Sequence, residues 1–306
     1  MQLKYCFKKE WSQFLRTFRL LVIIIAFFAT ALSYPALFGF TNAVLQNFDD
    51  FSADGSEQTL SVSFDGSQAP ENSESPQNPE DILGGMGMGD MLELYSDARA
   101  MFAVTATMTA STGTLIAMLL LMSAAGGEQK KRAMIVPMCS GLTYKNYLIP
   151  KFVIYPLSLF SVTFLSVAAA GFLCNAIFPN NHISFGMIML VALIGAVYVT
   201  FLTTIHLSLG LCTSRPGIMA ASVYVGASII ESLLQGFGLF RFHPFALNTL
   251  ISEIGMNPEF SVADETLNIA VSIAIAVVIC VVMFFLALGV LSAKKINNRE
   301  EVKPEF

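Results

Sequence analysis

The sequence predicts an all-α membrane protein with six transmembrane helices, and three observations carry that prediction. First, 55% of the 306 residues are hydrophobic and 13% are charged, roughly half the charged share of a soluble domain, so most of the surface has to face lipid. Second, a hydrocarbon core of about 30 Å takes about 20 helical residues to cross, and uncharged apolar runs of that length recur along the chain. Third, the gaps between those runs alternate between basic and acidic, as the inside-positive rule requires of a polytopic chain.

Residues 1–19 are expected to form an amphipathic interfacial helix on the cytoplasmic side. Leu3, Phe7, Trp11, Phe14 and Phe18 recur at spacings of four, four, three and four, which makes one apolar stripe to lie on the membrane. Lys4, Lys8, Ser12, Arg16 and Arg19 make a neighbouring stripe whose basic ends can reach lipid headgroups. The first span follows at 20–40. Its basic start and Ala29, Thr30 and Ala31 resemble a secretory signal, but the apolar stretch continues through Tyr34 and Phe40 and outruns the roughly 7 to 15 residues of such a signal's core.

Residues 41–99 set twelve acids against one base, Arg99, and are assigned to a large acidic extracellular loop. Between 49 and 90 apolar residues are too sparse to offset the cost of ordering the chain, so a mobile loop is expected there. Residues 58–64 alternate well enough for a short strand. Met86, Met88 and Met91 are soft ligands suited to copper(I), yet neither Cys nor His accompanies them.

The second span is assigned to 100–127 and the following loop, 128–151, to the cytoplasm, since Lys130, Lys131, Arg132, Lys145 and Lys151 stand there against Glu128. Spans at 152–178 and 183–214 come next, joined by a short turn without Lys or Arg. The fifth, 216–240, contains one charge, Glu231. Omitting it would put the acidic loop 241–266 inside and the basic tail 294–306 outside, so the charge pattern argues for counting it. The sixth span is 267–293, and both termini are expected in the cytoplasm.

The five cysteines (Cys6, Cys139, Cys174, Cys212 and Cys280) avoid both long outer loops, which argues against a disulfide framework. The net charge of −5 arises in those loops and gives no reason to expect nucleic acid as a partner. No G-x-x-x-x-G-K-[ST], H-E-x-x-H or G-x-S-x-G occurs. We therefore expect no catalytic residue, metal or cofactor on this chain. Two polar residues inside spans stand out as candidates for a pathway or gate. Glu231 lies about two thirds of the way across its span, where a charged carboxylate is costly unless it faces protein or water. His206 sits among Thr203, Thr204 and Ser208 and is more simply an interhelical hydrogen-bond partner. The hydroxyls of the second span, Thr105 to Thr114, are expected to serve packing.

Residues 127–152 read GEQKKRAMIVPMCSGLTYKNYLIPKF. This stretch resembles the coupling segment of ABC-2 type permeases, with Glu128, Lys131, Thr143, Tyr147, Leu148 and Lys151 in matching places. Arg132 and Gly141 depart from it, where that family usually has Gly and Pro. The resemblance extends to the start (Lys8, Lys9, Glu10, Trp11, Arg16 and Arg19), to Pro35 closing the first helix, to the large outer loop and to His243-Pro244. It implies the membrane-spanning subunit of an ABC exporter for a peptide, lipid, drug or ion in a bacterial cell membrane. The implied partners are separate ATPase subunits carrying ATP and magnesium, a second permease copy or a homologous permease, and membrane lipid. On that reading a helix over 128–140 inserts Met134 and Val136 into an apolar groove of the ATPase, while Lys130, Lys131 and Arg132 pair with its acidic rim. A sensor or assembly scaffold using the outer loop, and an ion-coupled carrier, are the alternatives from other classes.

Overall fold

A computed structural model describes residues 2–53, 97–122, 124, 143–178, 182–213, 215–237, 243–256 and 262–300. Its elements are all helical: α1 (Gln2–Arg16), α2 (Arg19–Ala53), α3 (Ala98–Met122), α4 (Tyr144–Ile177), α5 (Phe185–Cys212), α6 (Pro216–Gly236), a 3-10 turn (Pro244–Ala246), α7 (Leu247–Met256) and α8 (Val262–Glu300). Six of them contain segments long and apolar enough to cross a membrane: Arg19–Thr41, Ala98–Met122, Tyr144–Ile177, Phe185–Cys212, Pro216–Leu234 and Glu265–Ala293. That is the mark of a multi-pass membrane protein.

Local chemistry sets several boundaries. Thr143 and Ser184, both in extended backbone, cap α4 and α5 by accepting from the main-chain N–H groups of Asn146 and Met187. Pro216 opens α6 at the position where a missing N–H costs nothing. The turn between α4 and α5 is clasped by Asn175. Its Nδ2 donates to the Ile183 carbonyl at 2.9 Å, and its Oδ1 accepts from the Ile183 N–H at 2.8 Å.

The helices α3, α4 and α5 form the centre, with half or more of their apolar windows buried, whereas α2, α6 and α8 bury less than a quarter of theirs. Small residues let the central helices approach closely. At Gly113 of α3 an added methyl would meet ring carbons of Phe27 at 2.5 and 2.7 Å, so α2 crosses α3 where a side chain is missing. The outer helices expose Leu21, Ile25, Leu37, Ile229, Leu233, Val278 and Phe285, as surfaces solvated by lipid or by another apolar helix do.

Several expectations need correction. Pro35 does not close the first helix, since α2 runs through it to Ala53; in lipid, unwinding there would expose more backbone than one proline leaves unpaired. The helix α4 starts eight residues before 152, because Thr143 supplies the cap, so residues 144–151 are helix rather than loop. The segment 241–266, expected to be an extracellular loop, contains the 3-10 turn and α7, which the sequence reading missed, and α8 continues seven residues past 293. Residues 58–64 and the methionines at 86, 88 and 91 lie outside the described residues.

The stripe on α1 is also divided differently. Cys6, Glu10 and Phe14, at successive i, i+4 positions, form its buried face against α4, while Trp11 is 46% and Phe18 68% exposed and Phe7 is partly buried. Phe14 therefore packs on protein, not lipid. Phe18 is not in the helix at all, but in the turn before α2 with φ 54°.

Candidate functional site

Two polar constellations stand out, one at each end of the helix bundle. The first joins α1 to the opening turns of α4. Lys151 Nζ lies 3.1 Å from Glu10 Oε1 and donates to Oε2 at 3.2 Å, with the two side chains 0% and 2% exposed. The Tyr155 hydroxyl donates to the same Oε2 at 3.4 Å. The ammonium stands 5.0 Å from the centre of the Tyr147 ring, which adds a cation–π contact. Phe14 closes the assembly edge-on against Tyr155, with ring centroids 5.1 Å apart. Helical spacing explains the convergence: Tyr147, Lys151 and Tyr155 recur every four residues on α4, and Cys6, Glu10 and Phe14 do so on α1. Burying two charges is costly, so the pair holds only because ion, hydroxyl and ring contacts act together.

In the sequence Glu10 and Lys151 belong to separate motifs, and nothing in the spacing of either brings the two together. The single acid of α1 and a Lys immediately before an apolar span were the available signal. The proposed coupling residues Glu128, Lys130, Lys131, Arg132, Met134 and Val136 lie outside the described residues.

The second constellation gathers α3, α6 and α7. Thr249 Oγ1 donates to Glu231 Oε1 at 2.5 Å. Ser111 and the Tyr224 hydroxyl are 3.0 Å apart, as are Thr107 and Ser252. The helix α7 is fastened to α3 by Arg99, whose Nε and Nη2 donate to the Ile254 carbonyl at 3.1 and 2.7 Å, a cation at a helix C-terminus. Gly255 permits the contact: a side chain there would run into Ala103, with the Ala103 Cα and the Arg99 carbonyl only 3.1 and 3.2 Å away. Glu231 is thus half-buried and hydroxyl-solvated, facing protein as a costly carboxylate should. Thr107 and Ser111 bridge helices, while Thr105, Thr112 and Thr114 bond back to carbonyls of their own helix.

His243 caps the 3-10 turn, its Nδ1 accepting from the Phe245 N–H at 3.5 Å, and its ring stacks on Phe245. Partial burial lowers its pKa.

His206 is fully buried in α5. Neither ring nitrogen has a hydrogen bond among the described residues. Measured from the turn joining α5 to α6, His206 lies about 9 Å up α5 and Glu231 about 22 Å up α6 at 1.5 Å per residue. The two candidate gating residues are not brought together. An apolar hollow of about 400 Å³ opens sideways between α4, α5 and α8, lined by Phe152, Phe201, Val277 and Phe284 among others.

No protein-family model, curated protein or solved structure matches the chain. The physical content of the two constellations therefore has to carry the functional reading. A buried ion pair ties the N-terminal helix to the segment that follows residues 128–142, and a polar seam surrounds one carboxylate near the far end of α6.

Proposed function

We propose that the protein is the membrane-spanning subunit of an ATP-binding cassette exporter, energised by a separate ATPase chain that holds ATP and magnesium. The stretch from 127 to 152 carries this reading, because its resemblance to the coupling segment of ABC-2 permeases leads without a break into the first turns of α4. Those turns also hold Lys151 against α1. A partner pressing on residues 128–140 would therefore move α4 and α1 together, which is the lever a transporter of this kind needs. The apolar exposed faces of α2 and α6 leave room for a second permease copy or a homologous one, the charge pattern supports cytoplasmic termini, and the resemblance supports a bacterial cell membrane. Glu231, with its hydroxyl seam, is the residue we assign to the pathway. His206 has a packing role.

Replacing both Met134 and Val136 with Asp tests the reading. Each uncompensated charge in an apolar groove costs several kcal/mol of docking, so the variant inserts normally but loses its ATPase on copurification. Reversing Lys130, Lys131 and Arg132 weakens association less and in a salt-dependent way. Full ATPase retention and normal hydrolysis in the double Asp variant would overturn the assignment and favour a sensor or scaffold. Transport that survives without any ATPase but stops when the proton gradient collapses would favour a carrier.

A further inference from the structure

The pairing of Glu10 leaves the rest of α1 with an unbalanced surface. Glu10 is the sole acid in that helix and it is consumed by Lys151. The outward face carries Lys4, Lys8, Lys9 and Arg16, all exposed, with no acid between them. Set among these bases are Tyr5, Trp11 and Leu15, 71%, 46% and 45% exposed. A water-facing helix has no use for Trp and Leu there, and a protein-facing one has no use for four cations that no acid among the described residues pairs with. Amphipathic aromatics interleaved with long basic side chains are what the headgroup layer of a bilayer selects. The position agrees, because α1 ends two residues before α2 enters its apolar run.

We propose that this face of α1 binds anionic phospholipid headgroups, and that the Glu10–Lys151 pair passes the resulting immobilisation on to α4. The occupant is fixed by charge: a zwitterionic surface offers no net attraction to four cations, whereas an anionic one gains about fivefold in partition for each basic side chain near it. The α1 helix is then a lipid-dependent brace on the head of α4. Neither half of this inference requires the ATPase, so its test can fail without touching the transporter reading.

Trp11 is the only tryptophan in the chain, which makes the face its own reporter. The full-length protein is reconstituted in nanodiscs containing brominated phosphatidylglycerol or brominated phosphatidylcholine at equal mole fraction. The expected result is that the phosphatidylglycerol quenches Trp11 severalfold more. The preference is lost or nearly so in a Lys8→Gln, Lys9→Gln variant, each base being worth about fivefold in partition, and in about 1 M salt, where the screening length falls to about 3 Å. Equal quenching by the two lipids would overturn the lipid assignment. Absence of quenching by either would do the same, by showing that protein covers the face. For the second half, amide exchange over residues 144–155 is compared in unlabelled phosphatidylglycerol and phosphatidylcholine discs. Exchange slows in phosphatidylglycerol for the native chain, and in Glu10→Ala the difference disappears while Trp11 keeps its lipid preference. A difference that persists in Glu10→Ala would overturn the transmission through the ion pair.

Discussion

Glu10 and Lys151, 141 positions apart in the chain, bury their charges against one another where α1 crosses the head of α4. Removing one partner leaves the other charge stranded, which costs about 3–5 kcal/mol. Glu10→Ala and Lys151→Ala should each lower the unfolding midpoint of the purified protein sharply. Glu10→Leu combined with Lys151→Met should recover most of the loss, because two apolar groups of similar size need no compensation. Additive losses in the double variant would show that the pair is not coupled.

At Gly255 the backbone of α7 lies against Ala103 with no room for a methyl group. Gly255→Ala should cost about 1–3 kcal/mol through overpacking and accelerate amide exchange throughout residues 247–256. Exchange rates identical to the native protein would mean that α7 is not seated on α3.

The cap that His243 provides depends on a neutral Nδ1 accepting from the Phe245 N–H. Because burial depresses its pKa, the folded state binds fewer protons than the unfolded one near and below the usual imidazole value of about 6.5. Stability of this segment is therefore complete above that value and declines as the pH falls through the lowered folded pKa. Exchange over residues 243–256, expressed relative to the intrinsic rate at each pH, should rise as the pH falls from about 7 to about 5. His243→Asn, which keeps a capping acceptor without titrating, should abolish the rise.

Phe18 holds φ at 54°, in the left-handed region, between α1 and α2. Such a conformation costs a non-glycine residue about 1 kcal/mol, and more for a β-branched one. Thermal unfolding should place Phe18→Val below the native protein and Phe18→Gly at or above it. The reverse order would indicate that the Phe18 side chain outweighs the strain.

Topology is open to a direct check. Cysteines introduced at Ser67 and Asn257 should react with an impermeant reagent from outside the cell, whereas Cys139 and a cysteine at Asn298 should not. External labelling at 298 would overturn the six-span arrangement with both ends inside.

The spans were legible because lipid imposes a length and a polarity on every crossing segment, and both are written in the residues themselves. The turn at Asn175 and the contact between Glu10 and Lys151 were not, since each depends on which faces of distant helices meet, a matter of rotation that a hydropathy pattern leaves open. Phe14 shows the difficulty: it fits the membrane-facing stripe by spacing, but one ion pair turns α1 so that the ring lies under α4 instead. The helix α7 escaped notice because its ten residues are too short for a periodic signal and are held through Ile254 and Gly255, whose partners Arg99 and Ala103 lie about 150 residues away on α3. Glu231 was recognisable as a residue needing company, though nothing local named Thr249 as that company.

The Asn175 clasp has a mechanical side. Both main-chain groups of Ile183 are tied to one amide, so the last turns of α4 and the lead-in to α5 are held together. On the return limb Phe201 stacks edge-on against Phe245 in the 3-10 turn that leads into α7. Asn175 and Phe201 thereby join α4, α5 and the 3-10 turn in one continuous run of direct contacts.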